Sequence, residues 1–235
     1  MSSFTMAGTP DARATAQARS RYQRRALFYD LMEGMQDKQY QEWRRRLWSL
    51  ARGPKVLEVG VGTGKNIPFY PSSLKITAID LAPAMLERAQ KRAEKLGVKV
   101  DLRLGDAQEL DFPDGTFDTA VATCVFCSVP DPILGMKELR RVVKPGGQIL
   151  LLEHVPSSDP TIRKIVDIIN PLVVRMMGSN INRNTIENIQ KAGLNIDRDE
   201  DLRHGRLMIH KLIVAHAPNF RDHRLSTLNN VRLNT

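Results

Sequence analysis

Short apolar runs alternate with longer mixed segments through the middle of this chain, and the alternation predicts strands connected by helices. The strand-length runs are residues 56–59, the run that Asp80 closes, and residues 98–104, 119–123 and 148–152. Strands that alternate with helices indicate a parallel sheet covered on both faces. With 235 residues, of which 42% are hydrophobic, the chain is long enough to bury a full core. We therefore expect one compact α/β domain.

A glycine-rich turn follows the first strand. Residues 56–64 read VLEVGVGTG, and Asp80 ends the next apolar strand. A strand that runs into alternating glycines, followed by a strand that ends in a carboxylate, is how an α/β sheet binds a nucleoside. Without side chains at Gly60, Gly62 and Gly64 the backbone can approach a ligand closely, and Asp80 can accept hydrogen bonds from both ribose hydroxyls.

The glycine spacing distinguishes between two kinds of nucleoside cofactor, a dinucleotide and one that carries a methionine moiety. A dinucleotide site prefers Gly-x-Gly-x-x-Gly, whereas this chain has Gly-x-Gly-x-Gly with Lys65 where that third glycine would fall. Glu58 would repel a pyrophosphate but suits the ammonium group of a methionine moiety. At this motif the chain resembles the class I S-adenosylmethionine-dependent methyltransferases. The alternative is a tight strand-to-helix turn without a ligand.

The resemblance extends over residues 55–155. Gly105-Asp106-Ala107 follows the 98–104 run, and residues 144–147 read KPGG before the 148–152 run. This ordered set resembles the UbiE-type branch, which methylates quinone precursors, phospholipid head groups and other small lipophilic acceptors. It implies a Rossmann-like doubly wound seven-stranded sheet, mostly parallel with one antiparallel strand, and N-terminal helices over the cofactor cleft.

The resemblance also implies S-adenosylmethionine as cofactor and S-adenosylhomocysteine as product. In this family the acid of the Gly-Asp-Ala turn accepts the adenine amino group. The implied cofactor-binding positions are Glu58, Gly60, Gly62, Gly64, Asn66, Asp80, Leu81, Met85, Gly105, Asp106, Ala107, Thr123, Cys124 and Ser128.

The acceptor is expected at the carboxyl ends of the fourth and fifth strands. Residues 123–130, residues 153–155 and the run 178–183 resemble animal thiol methyltransferases of the endoplasmic reticulum. Bacterial phospholipid N-methyltransferases share residues 129–132 and a histidine that matches His154. Phosphatidylethanolamine N-methylation is the preferred interpretation and thiol S-methylation the main alternative; quinone-precursor C-methylation and cofactor binding without catalysis stay open.

Two residues are candidates for catalysis. His154, with an ordinary pKa of about 6.5, can take a proton from the nucleophile or hold it by a hydrogen bond; otherwise it is a histidine bonded to backbone at a strand end. Tyr29 belongs to a Tyr-Asp pair that UbiE-type enzymes carry on a segment folding over the site. Glu33 departs from the quinone enzymes, where an asparagine is expected, and argues against a demethylmenaquinone acceptor. The substrate-binding candidates are Tyr22, Tyr29, Cys127, His154 and Arg183.

Positive charge gathers before the first strand. Residues 1–55 contain eleven Lys or Arg against five Asp or Glu, with apolar residues interleaved at helical spacing. This pattern predicts two amphipathic helices that lie on an anionic membrane surface or cover the cleft; the alternative is that they pack on the sheet with solvated arginines. The residues concerned are Arg19, Arg21, Tyr22, Arg24, Arg25, Ala26, Leu27, Tyr29, Leu31, Met32, Trp43, Arg44, Arg45, Arg46, Leu47, Trp48 and Leu50.

Beyond residue 155 the pattern predicts two helices and two strands. Residues 160–177 form an apolar amphipathic helix, interpreted as core packing in preference to a lid for a lipophilic acceptor, and residues 185–191 form a second helix. The runs 195–202 and 207–215 resemble the antiparallel pair that completes the family's sheet. We divide the chain into a basic cap (residues 1–54), a methyltransferase domain (residues 55–216) and a mobile tail (residues 217–235).

Several partners and locations are disfavoured. Cys124 and Cys127 lack a second pair to complete a zinc site, so no metal is expected. No leader-like or membrane-spanning run is evident, which favours a cytoplasmic protein, peripheral at a membrane if the basic helices are interfacial. The net charge of +9 raises the question of nucleic acid, but no RNA-binding module or Asn-Pro-Pro-Tyr signature accompanies it, so nucleic acid is an unlikely partner. The oligomeric state stays open.

Overall fold

The computed structural model describes residues 8–33 and 37–218; the side chains of residues 27–33, 37 and 204 are outside that description. The described helices are α1 Ala12–Glu33, α2 Asp37–Ser49, α3 Pro83–Leu96, α4 Pro132–Val142, α5 Pro160–Met177 and α6 Thr185–Lys191, with a 3-10 turn at Ile67–Phe69. The described strands are β1 Lys55–Val59, β2 Lys75–Asp80, β3 Asp101–Leu104, β4 Phe117–Thr123, β5 Val143–Pro156, β6 Asn195–His204 and β7 Met208–His216.

These strands form one sheet in the order β3-β2-β1-β4-β5-β7-β6. Strand β7 runs antiparallel to β5 and β6, and the pairs among β1 to β5 are parallel. The predicted sheet with one reversed strand is thereby confirmed. The chain order reverses between β1 and β4, and in open α/β sheets ligands bind outside the carboxyl ends of the strands at such a switch point.

The strand register brings the predicted motifs together at one edge of the sheet. Val59 is opposite Ile79 and Ala122 in its neighbouring strands, and Asp80 is opposite Leu104. The residues that follow β1, β3 and β4 therefore lie beside Asp80.

Two sequence predictions differ from the observed strands. Strand β3 begins at Asp101 instead of residue 98, and β5 begins at Val143 and includes the KPGG run. The pairing shifts from Phe117–Val143 to Thr119–Gln148, so the extra residues form a bulge. The glycines make the bulge possible, because a Cβ on Gly147 would lie 2.6 Å from a methyl carbon of Val143.

Helices α4 and α5 begin in the same way. Asp131 and Asp159 each accept hydrogen bonds from the second and third backbone N–H groups of their helix, and a proline follows each aspartate. An N-cap carboxylate satisfies amides that have no partner inside the helix, and proline suits the first helical position.

Helix α2 packs on one face of the sheet. Leu47 and Trp48 are fully buried there among Val56, Val121 and Leu150. Of the alternatives considered for the basic amphipathic segments, α2 therefore follows the one in which the helix packs on the sheet. Within the described ranges, no helix combines the length and apolarity needed to cross a membrane.

Candidate active site

A cleft opens at the carboxyl ends of β1, β2, β3 and β4. The cavity that it encloses has a volume of about 110 Å³. Eleven of the fourteen cofactor candidates line it, and so does the substrate candidate Tyr22. Those eleven are Gly60, Gly62, Asp80, Leu81, Met85, Gly105, Asp106, Ala107, Thr123, Cys124 and Ser128.

The three glycines of the turn have positive φ angles between 56° and 81°, a conformation that glycine adopts without strain. A Cβ on Gly60 would lie 2.5 Å from Val125, and one on Gly64 would lie 2.6 Å from Ile67. A Cβ on Gly62 would meet nothing within 4 Å. Gly60 and Gly64 are therefore needed for packing, whereas the space beside Gly62 is open to a ligand.

Asp80 is fixed at the end of β2 by main-chain donors. One carboxylate oxygen accepts from the Gly62 N–H at 2.8 Å, and the other accepts from the Ala82 N–H at 2.9 Å. Burial raises the pKa of this carboxyl, while the backbone hydrogen bonds oppose the shift. Because a carboxylate offers about four acceptor sites, Asp80 can also accept hydrogen bonds from the hydroxyls of a ribose.

Asp106 forms the far side of the cleft. Gln108 donates to Asp106 from its backbone N–H at 2.9 Å and from its side-chain amide at 3.1 Å, and Thr15 of α1 donates to the same carboxylate at 3.3 Å. Gln108 and Thr15 were not among the sequence candidates. Their contact joins residues 93 positions apart, which no local pattern reveals.

Helix α1 crosses the cleft and contacts its other side. Arg19 donates to the Leu81 carbonyl at 3.1 Å, and the Tyr22 hydroxyl forms a hydrogen bond with the Ser128 hydroxyl. Ala18 lies on the same wall. Burial raises the pKa of Tyr22 well above its ordinary value, so its hydroxyl stays neutral. The side chain of Tyr29 lies outside the described residues.

Glu58 and Asn66 lie beneath the glycine turn and do not line the cleft. Glu58 accepts from the Asn66 side chain at 2.5 Å and from the Tyr70 hydroxyl. Asn66 also donates to Thr123 at 3.1 Å and accepts from Arg44 at 2.7 Å. Burial raises the pKa of Glu58 to about 7. This network supports the turn from below, so the carboxylates that face the cleft are Asp80 and Asp106.

The loop after β4 is held in place by a buried carboxylate of β5. Glu153 is fully buried and accepts from the backbone N–H groups of Val125 and Phe126 at 2.8 and 3.0 Å. Cys124 at the start of the loop has a φ of 53°, which is uncommon outside glycine. Burial raises the pKa of Glu153 to about 7.

Arg183 has a supporting position. Its guanidinium donates to the carbonyls of Phe126 and Val129, at 2.6 Å in the first case, and to that of Pro130 at 3.4 Å. These bonds hold the loop from outside, and the guanidinium is not on the cleft wall. Asn180 adds backbone and side-chain donors to the Cys127 carbonyl at 2.8 and 3.1 Å.

The structure does not bring His154 to the cleft. Side chains alternate along a strand, and Glu153 faces the loop, so His154 faces the side of the sheet that carries α2. Its ring is 6.5 Å from that of His210, which in turn lies 5.3 Å from Trp43 of α2. Burial lowers the pKa of His154 to about 4, with a contribution from His210. The expected proton acceptor is thus a neutral ring on the opposite face.

Cys127 is buried behind the cleft wall. Its thiol donates to the Cys124 carbonyl at 3.3 Å, and burial, with the charge of Glu153, raises its pKa to about 12. The side chain therefore stays protonated.

These features define a class of protein: an α/β domain with a nucleoside cleft at the switch point of its sheet. Residues 57–151 match a family described as a methyltransferase domain. Over those residues the chain therefore matches a methyltransferase domain, in agreement with the resemblance to S-adenosylmethionine-dependent methyltransferases expected from the sequence.

Two relatives resemble the chain to different extents. It is 45% identical over 106 residues to a phosphatidylethanolamine N-methyltransferase of Cereibacter sphaeroides; the match covers 44% of this chain and 52% of the relative. The chain thus spans about half the length of that relative. It is 28% identical over 174 residues to a demethylmenaquinone methyltransferase of Staphylococcus aureus strain JH9, covering 70% of this chain and 72% of the relative.

A solved structure shares the fold. The geranyl diphosphate C-methyltransferase of Streptomyces coelicolor A3(2), crystallised with Mg²⁺, geranyl diphosphate and S-adenosyl-L-homocysteine, superposes with a TM-score of 0.66 at 13% identity. The match covers 89% of this chain and all of that one.

Proposed function

We propose that this protein methylates the amine of phosphatidylethanolamine at the Tyr22 end of the cleft. The observation that carries the proposal is electrostatic. Among the described residues that line the cleft, the charged side chains are Asp80 and Asp106, and no Lys, Arg or His joins them. Without a cation among these residues, an anionic nucleophile such as a thiolate has no opposite charge to stabilise it, whereas an amine reacts in its neutral form.

Cys127 shows how burial in this part of the protein affects a thiol. This thiol is adjacent to Ser128 and has its pKa raised to about 12. Burial at the acceptor end would likewise favour the protonated form of a thiol substrate, although the thiolate is the reactive form. Burial has the opposite effect on an amine, because it favours the neutral form whose lone pair reacts.

The cofactor fits the described residues. Asp80 offers carboxylate oxygens for ribose hydroxyls, Gly62 leaves open space, and the 105–107 turn provides small residues beside Asp106. When bound, S-adenosylmethionine supplies an electrophilic methyl group on a sulfonium that is a good leaving group.

The chain's own contribution at the acceptor end is orientation and exclusion of water, which supply much of the acceleration of an in-line displacement. The neutral Tyr22 hydroxyl can accept a hydrogen bond from the amine while Ser128 holds its position. Helix α1 contributes Ala18 and Tyr22 to the wall of the cleft. The resemblance to the Cereibacter sphaeroides enzyme over 106 residues supports the same acceptor.

Methyl transfer from labelled S-adenosylmethionine tests the proposal. The purified chain is incubated in parallel with vesicles of phosphatidylglycerol and phosphatidylethanolamine, with matched vesicles in which phosphatidylcholine replaces phosphatidylethanolamine, with a panel of small thiols, and with demethylmenaquinone. We expect label in N-methylated phosphatidylethanolamine. Label on thiols or on the quinone, with none in the phosphatidylethanolamine lipid, would contradict the proposal.

A further inference from the structure

Helix α5 exposes its apolar residues. Ile165, Ile168, Leu172 and Met176, here called the α5 face, are 47%, 78%, 60% and 65% exposed. Their spacing of three or four residues places them in one stripe on the helix. The predicted core-packing role of this helix is therefore wrong for this stripe, although Val166 of α5 is fully buried.

Polar contacts explain why the apolar stripe faces outward. Asn170 donates to the side chain of Asn180 at 3.2 Å and accepts from the Ile181 N–H at 2.9 Å. Asp167 accepts from Asn182 at 2.9 Å. These bonds tie the other side of α5 to the segment that supports the loop after β4, so the helix cannot rotate its stripe inward without losing them.

Positive charges border the α5 face. Lys164 is four residues before Ile168, and Arg175 is three residues after Leu172, so both lie next to the stripe. Both are exposed. An apolar stripe beside basic residues is the pattern of a helix that lies in the interface of an anionic bilayer.

The C-terminal end of α5 adjoins the cleft-covering helix. A Cβ on Gly178, the residue after α5, would lie 3.1 Å from a guanidinium nitrogen of Arg25 and 3.5 Å from Cδ of Arg21. Within the described part of the chain, no carboxylate is seen to pair with either arginine. Arg25 follows Tyr22 by three residues on α1, and its charge acts to lower the pKa of Tyr22. The two arginines thus lie between the α5 face and the acceptor end of the cleft.

We propose that the α5 face and these arginines form one surface that binds an anionic lipid bilayer. The stripe inserts among the acyl chains, Lys164 and Arg175 contact lipid phosphates, and Arg21 and Arg25 hold phosphates at the mouth of the cleft. This orientation presents a headgroup to Tyr22, and in that respect the inference rests on the proposed phospholipid acceptor. The proposed surface thus combines α5 with Arg21 and Arg25 of α1.

Co-sedimentation with vesicles that lack phosphatidylethanolamine tests the surface independently of the acceptor. The double variant Ile168→Ser/Leu172→Ser is compared with the unmodified chain on phosphatidylglycerol–phosphatidylcholine vesicles. We expect affinity to fall at least about tenfold, because two exposed aliphatic side chains no longer enter the bilayer. The matched control is Leu96→Ser/Leu104→Ser, which removes side chains that are 46% and 52% exposed on α3 and β3 and is expected to bind like the unmodified chain.

The arginines have a separate prediction. Arg21→Gln/Arg25→Gln is expected to weaken binding to these vesicles and to reduce its dependence on salt, whereas Lys95→Gln/Lys99→Gln on exposed positions near the far sheet edge is not. Cofactor affinity and the unfolding midpoint verify that each variant is folded. Unchanged vesicle binding by the α5 variant, or an equal loss in its control, would overturn the inference. So would conversion of a dimer to a monomer with vesicle binding intact, which would assign the stripe to a second copy of the chain.

Discussion

The two sides of the cleft are built in different ways. The cofactor side consists of the glycine turn and Asp80, whose hydrogen bond joins residues 18 positions apart and whose donors are backbone amides. The acceptor side depends on the contact between Tyr22 and Ser128, 106 positions apart and made by side chains. The cofactor side is therefore fixed by the sheet, whereas the acceptor side is assembled by α1 and the loop after β4. The two functions should accordingly be separable by mutation.

The largest effect is expected on the cofactor side. Asp80→Ala removes the acceptor for both ribose hydroxyls, and hydrogen bonds to a charged group contribute about 1.5–3 kcal/mol each. A loss of about 3 kcal/mol corresponds to roughly 100-fold weaker binding. Isothermal titration with S-adenosylhomocysteine measures it. Asp101→Ala, which alters an exposed carboxylate at the start of β3, is the control, and equal affinities for the two variants would remove Asp80 from the cofactor side.

A smaller effect is expected from Tyr22→Phe, and it should fall on kcat instead of on cofactor affinity. The ring still covers the cleft, but the hydroxyl that orients the amine is lost. One hydrogen bond of about 1.4 kcal/mol in the transition state corresponds to about tenfold in kcat, while cofactor affinity stays the same. Steady-state kinetics on phosphatidylethanolamine vesicles, together with titration of the cofactor, check both numbers. Weaker cofactor binding at unchanged kcat would place Tyr22 on the cofactor side.

The support of the acceptor loop predicts a pH dependence of stability. The folded-state pKa of Glu153 is about 7, above the value of about 4.3 for an unperturbed glutamate. Between these values the folded protein binds a proton that the unfolded chain has released, so stability falls as pH rises from about 4.3 to about 7. Glu153→Gln keeps an oxygen for the amides of Val125 and Phe126 and removes this titration.

Urea unfolding at pH 5 and pH 8 measures the difference. We expect Glu153→Gln to lose less stability between the two pH values than the unmodified chain. A residual dependence is expected from Glu58, whose pKa burial also raises to about 7. A slope as steep in the variant as in the unmodified chain would show that Glu153 does not carry this proton.

The smallest effect is expected from His154→Asn. The ring lies with His210 on the α2 side of the sheet and is neutral near pH 7, so the turnover rate should stay unchanged. The measurement is kcat for methyl transfer across pH 6–8. A large fall in kcat with normal cofactor binding would return His154 to the acceptor side and would break the division between the two walls.

The difference between the two sides of the cleft also explains which parts of the site could be predicted from the sequence. The turn at residues 60–64 and Asp80 each follow an apolar run, so local pattern was sufficient to place them. The parallel sheet with one reversed strand followed from the order of runs and from the family resemblance. The positions of Glu58 and Asn66 beneath the turn were harder to predict from the sequence, because they depend on tertiary hydrogen bonds with Tyr70 and Arg44.

The acceptor side was harder to derive. The direction of His154 depends on which face of β5 its neighbour Glu153 occupies, and that is set by the loop after β4. Helices α2 and α5 are both amphipathic, yet Trp48 is buried while Ile168 is 78% exposed. The polar contacts of Asn170 decide the second case, and those contacts are tertiary.

A crystal structure of the chain with S-adenosylhomocysteine would test the division of the cleft most directly. We expect the ribose hydroxyls on Asp80, the adenine beside Asp106 and Ala107, and the sulfur directed toward Tyr22 and Ser128. Density for the ligand with its ribose away from Asp80, or with its sulfur directed toward the His154 face of the sheet, would contradict it.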